Sequence, residues 1–178
     1  MFWSKKKNKP TEFKCSKCGK IHSDWPALAF KAPANYDFLS KHEKSELGKL
    51  DSDFCEIHYE DQVDRFIRVT LNLKVIDTCE NLDYGLWVSL SEKSYSDYKA
   101  NFDNDKHETV YFGWLCSNIP EYGDTISIPC DVMTNTGNNR PEIFPHKDFD
   151  HAFVKDFYDG ITKLEAEKRI NEMIKNVG

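Results

Sequence analysis

The stretch Arg65-Phe66-Ile67-Arg68-Val69-Thr70-Leu71-Asn72-Leu73-Lys74-Val75 decides the fold class. Its residues alternate. Ile67, Val69, Leu71, Leu73 and Val75 fall on one side, and Phe66, Arg68, Thr70 and Asn72 fall on the other. A period of two is the mark of a strand with one face buried. Leu82 to Leu90 repeats the pattern, with Leu82, Tyr84, Leu86, Val88 and Leu90 on one face. Gly85 within that run marks a bulge or a close backbone approach. Further strands are predicted over Phe54–Tyr59, His107–Cys116, Thr125–Val132 and Arg140–Phe144. Pro129 inside Thr125–Val132 argues for an edge or a bulge.

Helices lie outside this block. One is predicted over residues 35–50. Another follows Ser91, a capping residue, and carries Tyr95 and Tyr98. Two more are predicted over 148–158 and 162–176. Phe149, Phe153 and Phe157 share a face of the first, and Asp148 reads as its cap. Glu165 and Arg169 sit at i,i+4 on the second. Strands in the middle and helices outside predict an α+β domain with a mainly antiparallel sheet and flanking helices. Residues 1–12 read as a flexible basic start. Residues 13–178 read as one domain, with a Cys-x2-Cys ribbon at 13–26 and a C-terminal helix at 161–178.

The 178 residues carry 24 Lys and Arg against 30 Asp and Glu, a net charge of −6. Residues 1–20 alone carry +6, so the remainder carries −12. An acidic body disfavours a phosphate backbone, and nucleic acid is an unfavoured partner. No apolar run approaches the ~18 residues that span a bilayer, and no signal-peptide pattern opens the chain. Both observations point to the cytoplasm.

Six cysteines are present: Cys15, Cys18, Cys55, Cys79, Cys116 and Cys130. Cys15-Ser16-Lys17-Cys18-Gly19 has the spacing of a zinc knuckle, which needs four ligands. His22 folds back as a third, and Cys55, or alternatively His151, supplies the fourth. A redox pair and plain thiols are the other readings of the same residues. Four protein ligands mean a structural zinc.

Arg68 lies on a strand between apolar neighbours, so it needs a carboxylate such as Asp53 or Asp83, or an anionic ligand. Tyr84, Trp87, Trp114 and Tyr122 either pack the core or line a ligand pocket. A pocket at Arg68, Trp87 and Trp114 is therefore the candidate ligand site. His146 and His151 flank Asp148 and Asp150, a second possible metal cluster. No Gly-x-Ser-x-Gly, phosphate loop or His-Glu-x-x-His occurs, so no catalytic residue is assigned.

Six segments in order resemble a bacterial family called domain of unknown function 2199. They are Phe13-Lys14-Cys15-Ser16-Lys17-Cys18-Gly19 with His22 and Pro26; Asp53-Phe54-Cys55 with Arg65-Phe66-Ile67-Arg68; Tyr84-Gly85-Leu86-Trp87-Val88-Ser89-Leu90-Ser91; Tyr111-Phe112-Gly113-Trp114-Leu115 with Ile119-Pro120-Glu121-Tyr122; Arg140-Pro141; and Asp150-His151. Val69, Gly123 and Ala152 depart from the family pattern. The resemblance implies a small bacterial cytoplasmic protein of no known activity, and it favours Cys55 as the partner of Cys15 and Cys18. The resulting expectation is a non-enzymatic module that binds a protein partner and holds a structural zinc. The alternative is a small-ligand binder or enzyme using Arg68, Trp87 and Trp114.

Overall fold

The computed structural model describes residues 12–14 and 19–177. Among the described residues, ten strands and five α-helices run in the order β1 (Glu12–Lys14), β2 (Ile21–Ser23), β3 (Leu28–Ala29), α1 (Ala34–Asp37), α2 (Lys41–Leu47), β4 (Gly48–Leu50), β5 (Phe54–His58), β6 (Val63–Leu73), β7 (Leu82–Leu90), α3 (Glu92–Ala100), β8 (Val110–Leu115), β9 (Pro129–Met133), β10 (Glu142–Pro145), α4 (Ala152–Asp159) and α5 (Lys163–Val177).

The expected sheet closes on itself. Strands β6 to β10 pair in sequence order, antiparallel throughout, and β10 returns to β6. A meander of five strands must close with a parallel pair, because its first and last strands point the same way. That pair is Glu142 beside Thr70, and the Thr70 amide donates to the Pro141 carbonyl at 2.8 Å. Sequence periodicity reveals faces but not closure, so the mainly antiparallel sheet is in fact a five-stranded barrel with extra strands at its sides. The extra strands are β3, parallel to β7, and β5 and β4 beyond β6. The ribbon β1–β2 pairs antiparallel and flanks the Cys-x2-Cys segment.

The barrel interior takes the residues that alternation assigns to it. Ile67, Val69, Leu71 and Leu73 meet Leu82, Leu86 and Val88, with Leu115, Val132 and Ile143 from the other strands. The outer faces of β5–β7, with Cys116 just after β8, form a second buried cluster of Cys55, Ile57, Phe66, Trp87 and Cys116. Phe30, Tyr36, Leu39 and Leu47 cover it, so the chain from β3 to α2 is a lid over one side of the barrel.

The helix expected over 35–50 is two helices and a strand. Ser40 ends the first turn and caps the second helix. Its Oγ accepts from the Glu43 amide, and the Glu43 carboxylate accepts from the Ser40 amide. Helix α3 begins at Ser91 as expected. Helix α4 starts later than expected, because His151 rather than Asp148 is its cap. Pro129 is the first residue of β9, a position where the missing N–H is tolerated, and its carbonyl accepts from the His146 amide. Among the described residues, no helix is long and apolar enough to cross a membrane.

Candidate functional site

The expected pocket at Arg68, Trp87 and Trp114 is divided. The three lie on the outer faces of β6, β7 and β8, and Arg68 pairs directly with Trp87. The lid then crosses Trp87. Ala29 pairs with Gly85, the Trp87 indole donates from Nε1 to the Phe30 carbonyl at 2.9 Å, and the Ala34 amide donates to the Cys116 carbonyl. Trp87 is fully buried beneath this path. Arg68 is on one side of it and Trp114 on the other, where Trp114 borders a cleft with Asn35, Phe66 and Ser89.

Arg68 is half-buried, with its guanidinium 5.8 Å from the centre of the Trp87 ring. Its Nε is buried and has no hydrogen-bond partner among the described residues. Burial and then Arg140 lower its pKa, with Asp53 opposing them. Asp53, one of the carboxylates expected for Arg68, is taken instead by the Nε of Arg140 at 2.6 Å. Asp83 accepts from Asn72. Gly85 is explained by close approach: a methyl there would stand 3.2 Å from the Ala29 Cβ and 3.4 Å from a terminal nitrogen of Arg68. The other aromatics named from sequence are structural. Arg169 of α5 donates to the hydroxyls of Tyr84 and Tyr122 and locks them beneath that helix.

Of the expected zinc ligands, Cys15, Cys18 and the side chain of His22 lie outside the described residues. Cys55 is buried in the second apolar cluster, and burial pushes its thiol up to about 12. That environment suits a packed thiol better than a thiolate ligand. His146 points to Asp131, and His151 caps α4 through Nδ1 while Nε2 meets the Asp124 carbonyl. The two histidines are thus committed separately. Among the described residues, no group of three or more His, Cys, Asp or Glu is placed to hold a metal ion.

The feature that remains is an exposed apolar face on β8 and β9. Val110, Phe112 and Trp114 follow one another on the outside of β8, and Met133 pairs with Val110 from β9. All four are 42–53% exposed. The rings of Phe112 and Trp114 meet edge to face at 4.9 Å, and His146 packs on Phe112 at 5.6 Å. Two carboxylates border the face: Asp131, which His146 meets at 3.0 Å, stands opposite Phe112, and Glu142 stands opposite Met133. The signal for this face was the run Val110-Tyr111-Phe112-Gly113-Trp114-Leu115, apolar on both sides. Such a run ordinarily means burial on both faces. Here only the inner one is covered.

The comparisons with known proteins agree on membership alone. The family model of an uncharacterised protein conserved in bacteria, domain of unknown function 2199, matches residues 14–161. The chain belongs to that family. No curated protein and no solved structure matches it. The matched range contains the barrel, the lid and α4 and stops before α5. Trp114 and the rest of the exposed face therefore lie inside the family region.

Proposed function

We propose that the chain is a non-enzymatic protein-binding module whose contact face is the outside of β8 and β9. One observation carries this reading: four large apolar side chains on adjacent strands stand about half exposed on one face. Contiguous apolar surface of this kind marks interaction sites, and aromatic residues dominate binding energy where they are desolvated. β9 is paired along both sides, and β8 is paired with β7 over Gly113–Leu115, so most of this surface offers side chains rather than a free backbone edge. Asp131, Glu142 and the acidic body favour a partner that rings an apolar spot with lysine or arginine. A structural zinc belongs to the same proposal, supported by the spacing of Cys15, Cys18 and His22 in the ribbon.

The test is a purified pair. A protein retained from a lysate by the wild-type chain and lost with Trp114→Ser is expressed alone and titrated by calorimetry. We expect an equimolar complex that Trp114→Ser or Phe112→Ser weakens by about tenfold or more and that added salt also weakens. Retention that survives both substitutions overturns the reading. So does a concentration-dependent dimer of this chain that both substitutions abolish.

A further inference from the structure

A second site lies at the end of the barrel where β8 begins and β9 ends. The C-terminal turn of α3, the loop after it and the β9–β10 turn enclose a cleft of about 610 Å3. That is within the ~300–1,000 Å3 of small-molecule sites. Its walls are tied together. The Gly137 amide donates to the Asp105 carbonyl, and Thr134 Oγ1 both donates to the His107 carbonyl and accepts from the Thr109 amide.

The chemistry of the lining is unusual in being polar and nearly uncharged. Asn135, Asn138 and Asn139 come from one turn, and Asn138 adopts positive φ, +58°. Asn135 and Asn139 use their Nδ2 groups to hold the turn, donating to the Arg140 and Thr136 carbonyls. Their carboxamide oxygens are left as acceptors. His107 Nε2 lies 3.2 Å from an Asp97 carboxylate oxygen, and the ion pair of Asp53 with Arg140 cancels its own charge. Arg140 uses Nε for it, which leaves its terminal nitrogens as donors.

The deciding group is Tyr98. Only 6% of this residue is exposed, and it lines the cleft together with Asp53 and Arg140. Burial pushes it up to about 12, and it feels both Asp53 and Arg140. A buried phenol ordinarily finds a partner. Here it opens onto the cleft. Beside it, the half-exposed ring of Phe102 packs edge-on at 5.9 Å and gives the cleft an apolar wall.

We infer that this cleft binds a neutral saccharide. Sugars present hydroxyls that donate and accept at once, and they carry an apolar C–H face. The carboxamides, the Tyr98 hydroxyl and the spare Arg140 nitrogens match the hydroxyls, and Phe102 matches the C–H face. An anion finds Arg140 already neutralised by Asp53, and a cation finds Asp53 already neutralised by Arg140. The site is distinct from the β8–β9 face and does not depend on it.

The experiment is an amide NMR titration of the full chain with maltose, cellobiose, chitobiose and galactose, and with adenosine and citrate as comparators. At least one sugar is expected to shift the amides of residues 135–140 and of the α3 terminus in a saturable way, at the millimolar affinity usual for small polar ligands. Tyr98→Phe, which keeps the ring packing, should weaken that sugar about tenfold. Asn138→Gly, which keeps the positive φ, should weaken it several-fold. No cleft shift by any sugar at about 50 mM, where a site of Kd ~5 mM would be nine-tenths filled, overturns the inference. Sugar binding indifferent to both variants, or shifts with adenosine or citrate alone, overturns it as well.

Discussion

Arg169→Ala should destabilise the fold by about 3–5 kcal/mol, the range for breaking a buried charge network from one side. The guanidinium is 3% exposed. It donates from Nε to Glu165 at 2.9 Å and from one terminal nitrogen to the hydroxyls of Tyr84 and Tyr122, at 3.2 and 2.9 Å. Its centre lies 4.8 Å from that of the Tyr122 ring. The parts of the cost can be separated. Tyr84 is 2% exposed and loses the one hydrogen bond its hydroxyl makes among the described residues, which costs about 1–3 kcal/mol. The contact with the Tyr122 ring and the packed aliphatic stem account for about 1–2 kcal/mol more. Glu165 and Asp156 are about a third exposed and regain water, so they add under ~1 kcal/mol. Tyr122 keeps its bond to Asp156 at 2.8 Å. Urea unfolding measures the loss, and the melting temperature should fall by roughly 6–20 °C for a domain of this size. Tyr84→Phe removes the stranded hydroxyl, so it should cost less beside Arg169→Ala than alone, by about 1 kcal/mol or more. A loss under ~1 kcal/mol for Arg169→Ala, or strict additivity in this cycle, refutes the assignment of α5 docking to this cation.

Three other outcomes follow from the same geometry. Gly113→Ala should cost about 1–3 kcal/mol in thermal unfolding, because a methyl there stands 3.0 Å from a Val132 methyl and 3.1 Å from the Ser89 carbonyl inside the barrel. Cys55, Cys116 and Cys130 should resist alkylation at pH 8 until denaturant is added, since burial pushes their thiols up to about 12, 11 and 12; mass spectrometry of the modified sites checks this. Asp53 should lend stability at neutral pH that is lost on acidification. Burial acts to raise its pKa, but the bonds from Arg140 and Ser52 outweigh burial and hold it below the ordinary carboxylate value. The folded state therefore binds its proton at lower pH than the unfolded state, and the contribution disappears as pH falls below about 4. Acid unfolding of Asp53→Asn beside wild type measures it, with the variant expected to show a shallower loss of stability.

Family membership and the order of most elements were legible in the chain itself. Strong alternation in β6 and β7 needs no partner to be visible, because period two is a property of one strand. Ser91 and the Glu165–Arg169 pair were legible for a similar reason, being contacts within four residues. The double helix at 34–47 was also written locally, in the capping box of Ser40 and Glu43, although a weak apolar stripe suggested one longer helix. The candidate sites were another matter. Arg68, Trp87 and Trp114 share a side of their strands, yet the lid passes between them, and no spacing along the chain encodes where residues 29–35 cross.

Local sequence by itself determined which residues face inward, where most helices begin and which family the chain joins. Only the tertiary structure decided that the sheet closes into a barrel, that Arg140 rather than Arg68 takes Asp53, and that Tyr98 opens onto a cleft built from three distant segments. The physical reason is one of range. Alternation and capping depend on neighbours a few residues apart, whereas closure and the pairing of charges depend on segments up to 87 residues apart meeting in space.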